Sequence, residues 1–474
     1  MRFDNLSDWL SWQESLNPAE IDLGLDRIAE VLARAALFSS FNCPLITVAG
    51  TNGKGSVVAM LEEMAMSAGL KVCSYTSPHL FRYNERIKIN AQQVADAVLC
   101  EAFEHIDQAR GDSQLTYFEF GTLAAIELFF KQQPDLVILE VGLGGRLDAV
   151  NIMDSDVSVL TSVAIDHVDW LGDNRESIGY EKAGVFRRGK PVICGERDVP
   201  ASVVRQAEKL QCEFIQADRD YDVYINHSDA SWDLKSCYTD LSALAKPSLA
   251  GDFQYLNAAT AILALQALQE RLPICAGMDG SRALQEQLPD KQSLKPFRAV
   301  ISRALKQIKL SGRFQKIHTK PTVYVDVAHN RQAAQALASQ LKFSSVDHYS
   351  AESRTWAIVA MLSDKDIKGV IESVLAEIDN WCFAGLENTS RGLSVQALVE
   401  NLPDVFFKAT NQENQCKILS DKVLSAVSVI QACELVLSKA NNNDRIIIFG
   451  SFYTVAEAMQ FFSEVNTNVV ESIK

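Results

Sequence analysis

The chain has 474 residues, 47% of them apolar and 22% charged, enough for two or three globular domains with sizeable cores. Its formal net charge of −15 argues against nonspecific binding to nucleic acid, whose phosphates need a basic surface, and no apolar run is long enough to cross a bilayer. The ten cysteines are scattered without a C-x-x-C pair, and the N-terminus mixes Asp, Glu and Trp; buried thiols and a cytoplasmic location are expected, not disulfides and a secretory signal.

Leu25, Ile28, Val31, Leu32 and Ala35 fall on one face at helical spacing and predict a first helix within 24–37. A buried strand follows at 45–49, then a glycine turn and a helix ending at Gly69. Strands are expected at 71–75, 135–142, 157–165 and 190–196, with a helix at 121–132 between the first two of these. This alternation is that of a wound parallel sheet. Residues 218–250 are polar and aromatic with short alternations, which predicts a small β appendage before a helix resumes from 257. A second α/β series has strands at 322–328, 355–362, 380–386 and 445–451. The expected architecture is α/β: a domain over 1–310 with a mostly parallel sheet, a linker at 311–319, and a smaller Rossmann-like domain over 320–474.

The segment "VAGTNGKGSV" (48–57) sits at a strand–helix junction, where a helix N-terminus presents unpaired N–H groups to an anion. It departs from the common phosphate loop, G-x-x-x-x-G-K-[ST]: Val48 stands at the first glycine, and Gly55 separates Lys54 from Ser56. Gly50, Gly53, Lys54 and Gly55 remain as a cradle, and a glycine-rich turn with a solvated lysine is the alternative. Glu140, Ser77 and His167 each follow the end of an expected strand, so they can converge on the carboxyl edge of the sheet, where open α/β folds bind ligands. Taken singly, each would pass as an ordinary strand-end or turn residue. Oxygen donors with one imidazole suit Mg²⁺, with Mn²⁺ as the alternative, and not zinc.

The motifs "AGTNGKGS", "SPHL" (77–80), "NERI" (84–87), "LTYFEFGTLAA" (115–125), "LEVGLGGRLDAVNI" (139–152), "IDHVDWLG" (165–172), "IGYEKAGVFR" (178–187), "SGRFQ" (311–315), "VDVAHN" (325–330) and "FGSFYTVAEAM" (449–459) run in order from about residue 20 to 460. Together they resemble the folylpolyglutamate synthase family, a branch of the Mur ligase superfamily, and most closely its bifunctional bacterial dihydrofolate synthase/folylpolyglutamate synthases. The resemblance implies a P-loop ATPase domain carrying a pterin site, a C-terminal glutamate ligase domain, and a monomer. The implied reaction joins L-glutamate to dihydropteroate or to tetrahydrofolates through an acyl phosphate made with ATP.

The same resemblance assigns residues. Gly50, Thr51, Asn52, Gly53, Lys54, Gly55 and Ser56 would hold the triphosphate, and Ser77, Glu140 and His167 would bind Mg²⁺, with a second metal organised by a carbamylated Lys182. Lys54, His167 and Lys182 form the expected catalytic set. Asn257 would meet the adenine region, Arg313 the phosphates and Asp326 the ribose side, with His329 beside the nucleotide. Arg313 lies at the expected domain joint, so domain arrangement would gate its reach. Gly24, Leu25, Asp26 and Arg27, then Thr116, Tyr117, Phe118 and Glu119, then Leu147, Asp148 and Ala149 match dihydropteroate-binding segments; Phe118 could stack on the pterin and Asp148 accept from its N–H groups. Core and loop roles are the alternatives for these. Phe253 stands where the family often has histidine. Arg82, Arg146 and Arg391 are candidates for glutamate, which is expected to dock between the domains. Two other functions stay open: a cell-wall Mur ligase, disfavoured because the cradle begins by residue 50 and leaves no room for a uridine-nucleotide domain, and a P-loop regulatory module without ligase activity.

Overall fold

The computed structural model describes residues 1–17, 21–268, 271–272, 294–345, 353–389, 391–408, 418–419 and 422–472. The chain forms two compact units, one of residues 1–248 and 252–309, the other of 249–251 and 310–474.

The first unit is built on an eight-stranded sheet. Its strands are β1 (Leu45–Ala49), β2 (Val72–Tyr75), β3 (Ile87–Ile89), β4 (Gln92–Gln93), β5 (Leu136–Glu140), β6 (Val157–Leu160), β7 (Pro191–Cys194) and β8 (Glu213–Gln216), in spatial order β4-β3-β2-β5-β1-β6-β7-β8. All neighbours pair in parallel except the β2-β3-β4 edge, which is antiparallel. "LITVA" and "LVILE" are buried at every position because helices cover both faces, and such strands read as unbroken apolar runs. From β1 the chain crosses to β2, whereas from β6 it moves the other way to β7; this reversal makes the carboxyl ends of β1 and β6 a switch point. Val48 pairs with Glu140 on one side and Val159 on the other, so the loop after β1 and the carboxylate ending β5 emerge at one level.

Helices α1 (Leu6–Leu16), α2 (Asp26–Arg34), α3 (Lys54–Ser67), α4 (Asp96–Arg110) and α5 (Tyr117–Gln132) supply much of the main core, in which Trp9, Phe103 and Phe120 are fully buried. Further on lie α6 (Val168–Leu171), α7 (Arg175–Lys182), α8 (Ala201–Lys209), α9 (Phe253–Gln266) and α10 (Leu294–Gln307). The expected appendage is the antiparallel sheet β9 (Tyr221–Asn226), β10 (Ser231–Ser236) and β11 (Leu241–Ala245), anchored by Trp232, whose Nε1 donates to the Ala245 carbonyl at 2.9 Å.

The second unit has a six-stranded sheet ordered β12-β13-β19-β14-β15-β18: β12 (Gln315–Thr319), β13 (Thr322–Asp326), β14 (Thr355–Val359), β15 (Asn380–Ala384), β18 (Val423–Ala426) and β19 (Arg445–Phe449); β16 (Phe407–Lys408) and β17 (Ile418–Leu419) pair separately. Only the β12–β13 edge of the six is antiparallel.

Three expectations need correction. The apolar run 157–165 is strand only to Leu160, because Thr161–Asp166 turn away to brace the loop after β1. Residues 315–319, read as linker, are the edge strand β12. The helix expected at 121–132 begins at Tyr117, capped by Thr116 and Glu119. Eight cysteines among the described residues carry free thiols, five of them buried, with Cys43 and Cys212 half-buried and Cys237 exposed; Cys275 and Cys416 fall outside the described residues.

Candidate functional site

The glycine loop is shaped before any ligand arrives. Gly50 has φ 148° and Gly53 φ 90°, both in the region that favours glycine. A Cβ on Gly50 would fall 1.8 Å from Thr161 Oγ1, so no side chain fits there. The loop after β6 holds the backbone of the cradle: Thr51 N–H donates to the Ser162 carbonyl (2.8 Å), Asn52 N–H to Ser162 Oγ (3.0 Å), and Thr161 Oγ1 to the Asn52 carbonyl (2.7 Å). Gly53 caps α3 without a side-chain partner, leaving a helix N-terminus open to an anion. Lys54 opens that helix and folds back, its Nζ donating to the carbonyls of Gly50 (3.1 Å) and Thr51 (3.2 Å). Ser56 is buried at 2% exposure and accepts from Gln254 Nε2 of α9 at 3.4 Å. Asn257, one turn further along α9, is bonded to Gln254 (2.9 Å) and lies against Gly53.

Lys182, at the end of α7, is buried at 4% exposure and donates to the same Gly50 carbonyl at 3.0 Å. Burial first, and the charge of Lys54 second, lower its ammonium from 10.5 to about 7; Asp166 and Asp148 oppose the shift. Two lysines thus share one carbonyl. Glu140, 5% exposed at the end of β5, accepts the Ser77 N–H at 3.2 Å, so the structure brings these two predicted residues into contact. His167 opens α6 in the left-handed conformation (φ 52°), its N–H donating to Asp166 Oδ1 at 2.9 Å. Among the described residues no three of His, Cys, Asp and Glu gather as a cation site.

The segments expected at the pterin end also converge. Phe118 packs over Gly142, where a Cβ would meet its ring at 2.7 Å, and lies 5.7 Å from the Tyr75 ring. Asp148 is buried beside them and already accepts the N–H groups of Leu143 (2.8 Å) and Val150 (3.0 Å), which order the loop containing Leu147 and Ala149. Burial pushes its carboxyl up to about 6 against these hydrogen bonds and Lys54. Glu119 and Thr116 form the capping box of α5, and Arg27 clamps Glu119 with two hydrogen bonds of 3.1 and 3.0 Å, which ties α2 to α5. Arg27 and Glu119 are therefore occupied in joining the two segments. Leu25 caps the N-terminus of α2 without a side-chain bond, Asp26 opens that helix, and Gly24 has open space around it. Tyr117 packs edge-on to Tyr83 at 5.6 Å.

In the second unit, Asp326 ends β13, and its carboxylate accepts the N–H groups of Phe314 and Ala328, both at 2.8 Å. Burial raises its carboxyl, opposed by Arg313. Arg313 lies over the Phe452 ring at 5.4 Å, and His329 lies 6.5 Å from that ring. The three arginines suggested for glutamate are engaged: Arg82 with Asp96 (2.7 Å), Arg146 with Glu181 (2.9 Å) and Arg391 with Asp364 (3.4 Å).

Residues 48–265 match the Mur ligase middle domain and 312–452 the Mur ligase glutamate ligase domain. The dihydrofolate synthase/folylpolyglutamate synthase of Escherichia coli K12 is 38% identical over 96% of this chain and 95% of its own length; that of Haemophilus influenzae is 39% identical over 95% and 96%. This chain belongs to the dihydrofolate synthase/folylpolyglutamate synthase family. Among solved structures, E. coli FolC in complex with DHPP and ADP has a TM-score of 0.82 at 37% identity, covering 98% of this chain and 99% of that one. A bifunctional folylpolyglutamate synthase/dihydrofolate synthase with Mn, AMPPNP and L-glutamate bound has a TM-score of 0.79 at 37% identity, covering 96% of this chain and 98% of that one.

Within this family member, residues that the sequence did not single out prepare the site. Thr161 and Ser162 hold the cradle from the neighbouring strand, and Gln254 ties α9 to α3. Gly145 allows the loop after β5 to pack on the end of α7, since a Cβ there would lie 2.9 Å from the Lys182 carbonyl. The "GLGG" run was the signal for that approach, but without a partner segment it reads only as a turn.

Proposed function

We propose that this chain is an ATP-dependent ligase joining L-glutamate to dihydropteroate, giving dihydrofolate, and to the γ-carboxyl of reduced folates such as tetrahydrofolates. The observation that carries this reading is the preformed glycine cradle, with Lys54 and Lys182 on one carbonyl and Glu140 one strand away. ATP-derived nucleotides, a metal ion, DHPP and L-glutamate are named with the solved relatives, which supports the same set of ligands here.

A carboxylate is a poor acyl donor. One of its oxygens attacks the γ-phosphorus of ATP and ADP leaves; the glutamate amine then attacks the carbonyl of the acyl phosphate, expelling phosphate and releasing a proton. The protein's part is positioning and charge neutralisation. Backbone N–H groups at Gly53–Ser56, at the N-terminus of α3, receive the phosphates, and Lys54 exchanges its two carbonyl partners for phosphate oxygens. Ser77, Glu140 and His167 would hold Mg²⁺, with Mn²⁺ as the substitute; a hydroxyl, a carboxylate and an imidazole fit a divalent cation that also takes phosphate oxygens. That ion supplies neutralising charge at the transferred phosphoryl group.

Lys182, driven towards its neutral form near pH 7, has the free amine that carbon dioxide requires, and carbamylation would turn a cation crowding Lys54 into an anion able to organise a second metal. Asn257, Arg313, Asp326 and His329 bind the nucleotide in this reading. The segments 24–27, 116–119 and 147–149 frame the pterin, with Phe118 stacking on it. The region 1–310 supplies the ATP and pterin sites and 320–474 the ligase domain, in a monomeric cytoplasmic enzyme that needs neither membrane nor nucleic acid. Lys54→Ala tests the reading: dihydrofolate formation should fall by about 100-fold or more, and an unchanged rate would refute it.

A further inference from the structure

The motifs at 77–80 and 84–87 meet in the first unit, and only Ser77 among them has a task so far. After β2 the chain forms a loop over 76–82 and returns to β3 through a 3-10 turn, Tyr83–Arg86. Glu85 closes this loop by accepting three successive N–H groups, from Leu80, Phe81 and Arg82, each at 2.8 Å. Thr76 N–H donates to the Arg86 carbonyl at 2.8 Å, and Asn84 Nδ2 donates to the Val94 carbonyl and to Asp96 at 2.7 and 2.8 Å. The loop bearing Ser77 is therefore fixed on every side before substrate binds.

Arg86 Nε donates to His79 Nδ1 at 2.8 Å. A guanidinium N–H can only donate, so Nδ1 is the acceptor and the ring of His79 carries its proton on Nε2. The guanidinium lies over the rings of Tyr83 (5.4 Å) and Tyr117 (5.5 Å) and has no carboxylate partner among the described residues. Its Nε is committed to orienting the imidazole. His79 is half-buried; its Nε2 makes no hydrogen bond among the described residues and is not one of the occluded, unpartnered atoms. A fixed donor is left open two residues past Ser77, whose own N–H meets Glu140 at the edge where the cradle emerges.

We infer that His79, oriented by Arg86, donates its Nε2–H to one oxygen of the acyl substrate's carboxylate while the other oxygen attacks the phosphorus. A neutral donor holds the carboxylate without taking away its charge, so the nucleophile stays anionic. Arg86 is the positioning residue of the pair. The inference rests on the ligase reading and adds a contact at the reacting end of the substrate.

Steady-state kinetics on three variants test it. The amide of His79→Gln can reach the place of Nε2, that of His79→Asn the place of Nδ1, and His79→Ala has neither. The Ala and Asn variants should raise KM for dihydropteroate about tenfold or more, the loss of one hydrogen bond to a charged group, with KM for ATP unchanged, and Gln should recover most of the loss. Nitrogen-15 spectra of histidine-labelled enzyme should show His79 as the Nε2–H tautomer, with that resonance shifting on dihydropteroate and the tautomer preference lost in Arg86→Met. A wild-type KM in the Ala variant, a Gln variant no better than Ala, or an Nδ1–H tautomer overturns the inference while leaving the ligase reading intact. A wild-type enzyme forming no ADP with dihydropteroate and glutamate overturns the ligase reading, and the inference with it.

Discussion

Lys182 shows how a single side chain can be read through both stability and chemistry. Its ammonium titrates near 7 in the folded chain and at 10.5 when free, so between these values the unfolded chain holds the extra proton and raising the pH favours folding. In carbon-dioxide-free buffer, urea denaturation of wild type and Lys182→Met should therefore diverge: the wild type gains stability relative to the variant from pH 7 to 9, and a difference independent of pH would contradict the shift. Gly50 makes a second residue-scale case, since an alanine would meet Thr161 Oγ1 while also carrying a strained φ. Gly50→Ala should weaken nucleotide binding about tenfold or more, in line with roughly 1–3 kcal/mol of local strain, and Thr161→Ala in the same chain should recover part of that loss. Binding measured by calorimetry at wild-type affinity would contradict this account of the cradle.

At the scale of elements, strands covered on both faces announce themselves. "LITVA" and "LVILE" could be read directly because burial on two sides requires unbroken apolar runs, and the phosphate loop was legible because three glycines and a lysine crowd one junction. Boundaries were harder. Thr161–Asp166 continue an apolar-looking run, yet they leave the sheet because their polar groups are needed by the neighbouring loop, a long-range cause that no local pattern records. The β3–β4 hairpin was equally hidden, because "NERIKIN" carries its meaning in hydrogen bonds to the loop at 76–82. For Arg27 and Glu119, resemblance pointed to the pterin segments, and the structure adds a clamp between α2 and α5 that the motifs did not record. Glu119→Gln removes a buried charge-assisted cap and should lower stability by about 1–3 kcal/mol; an unchanged denaturation midpoint would remove the clamp from the account.

For the whole molecule the charge balance sets a constraint. A chain of −15 repels anionic nucleotides and folates at long range, but physiological salt screens that field within about 8 Å. Binding therefore depends on the local cradle, where Lys54 and the α3 N-terminus gather positive potential. Nucleotide at one hundred times its dissociation constant should stabilise the folded chain by about 2.7 kcal/mol, and Lys54→Ala should abolish most of that gain in a thermal melt. The central claim, that the cradle activates a carboxylate for capture by an amine, is tested most directly by following phosphate release from ATP while each co-substrate is omitted in turn. Release that requires dihydropteroate and glutamate together is the predicted result; equal turnover with nucleotide alone would contradict it.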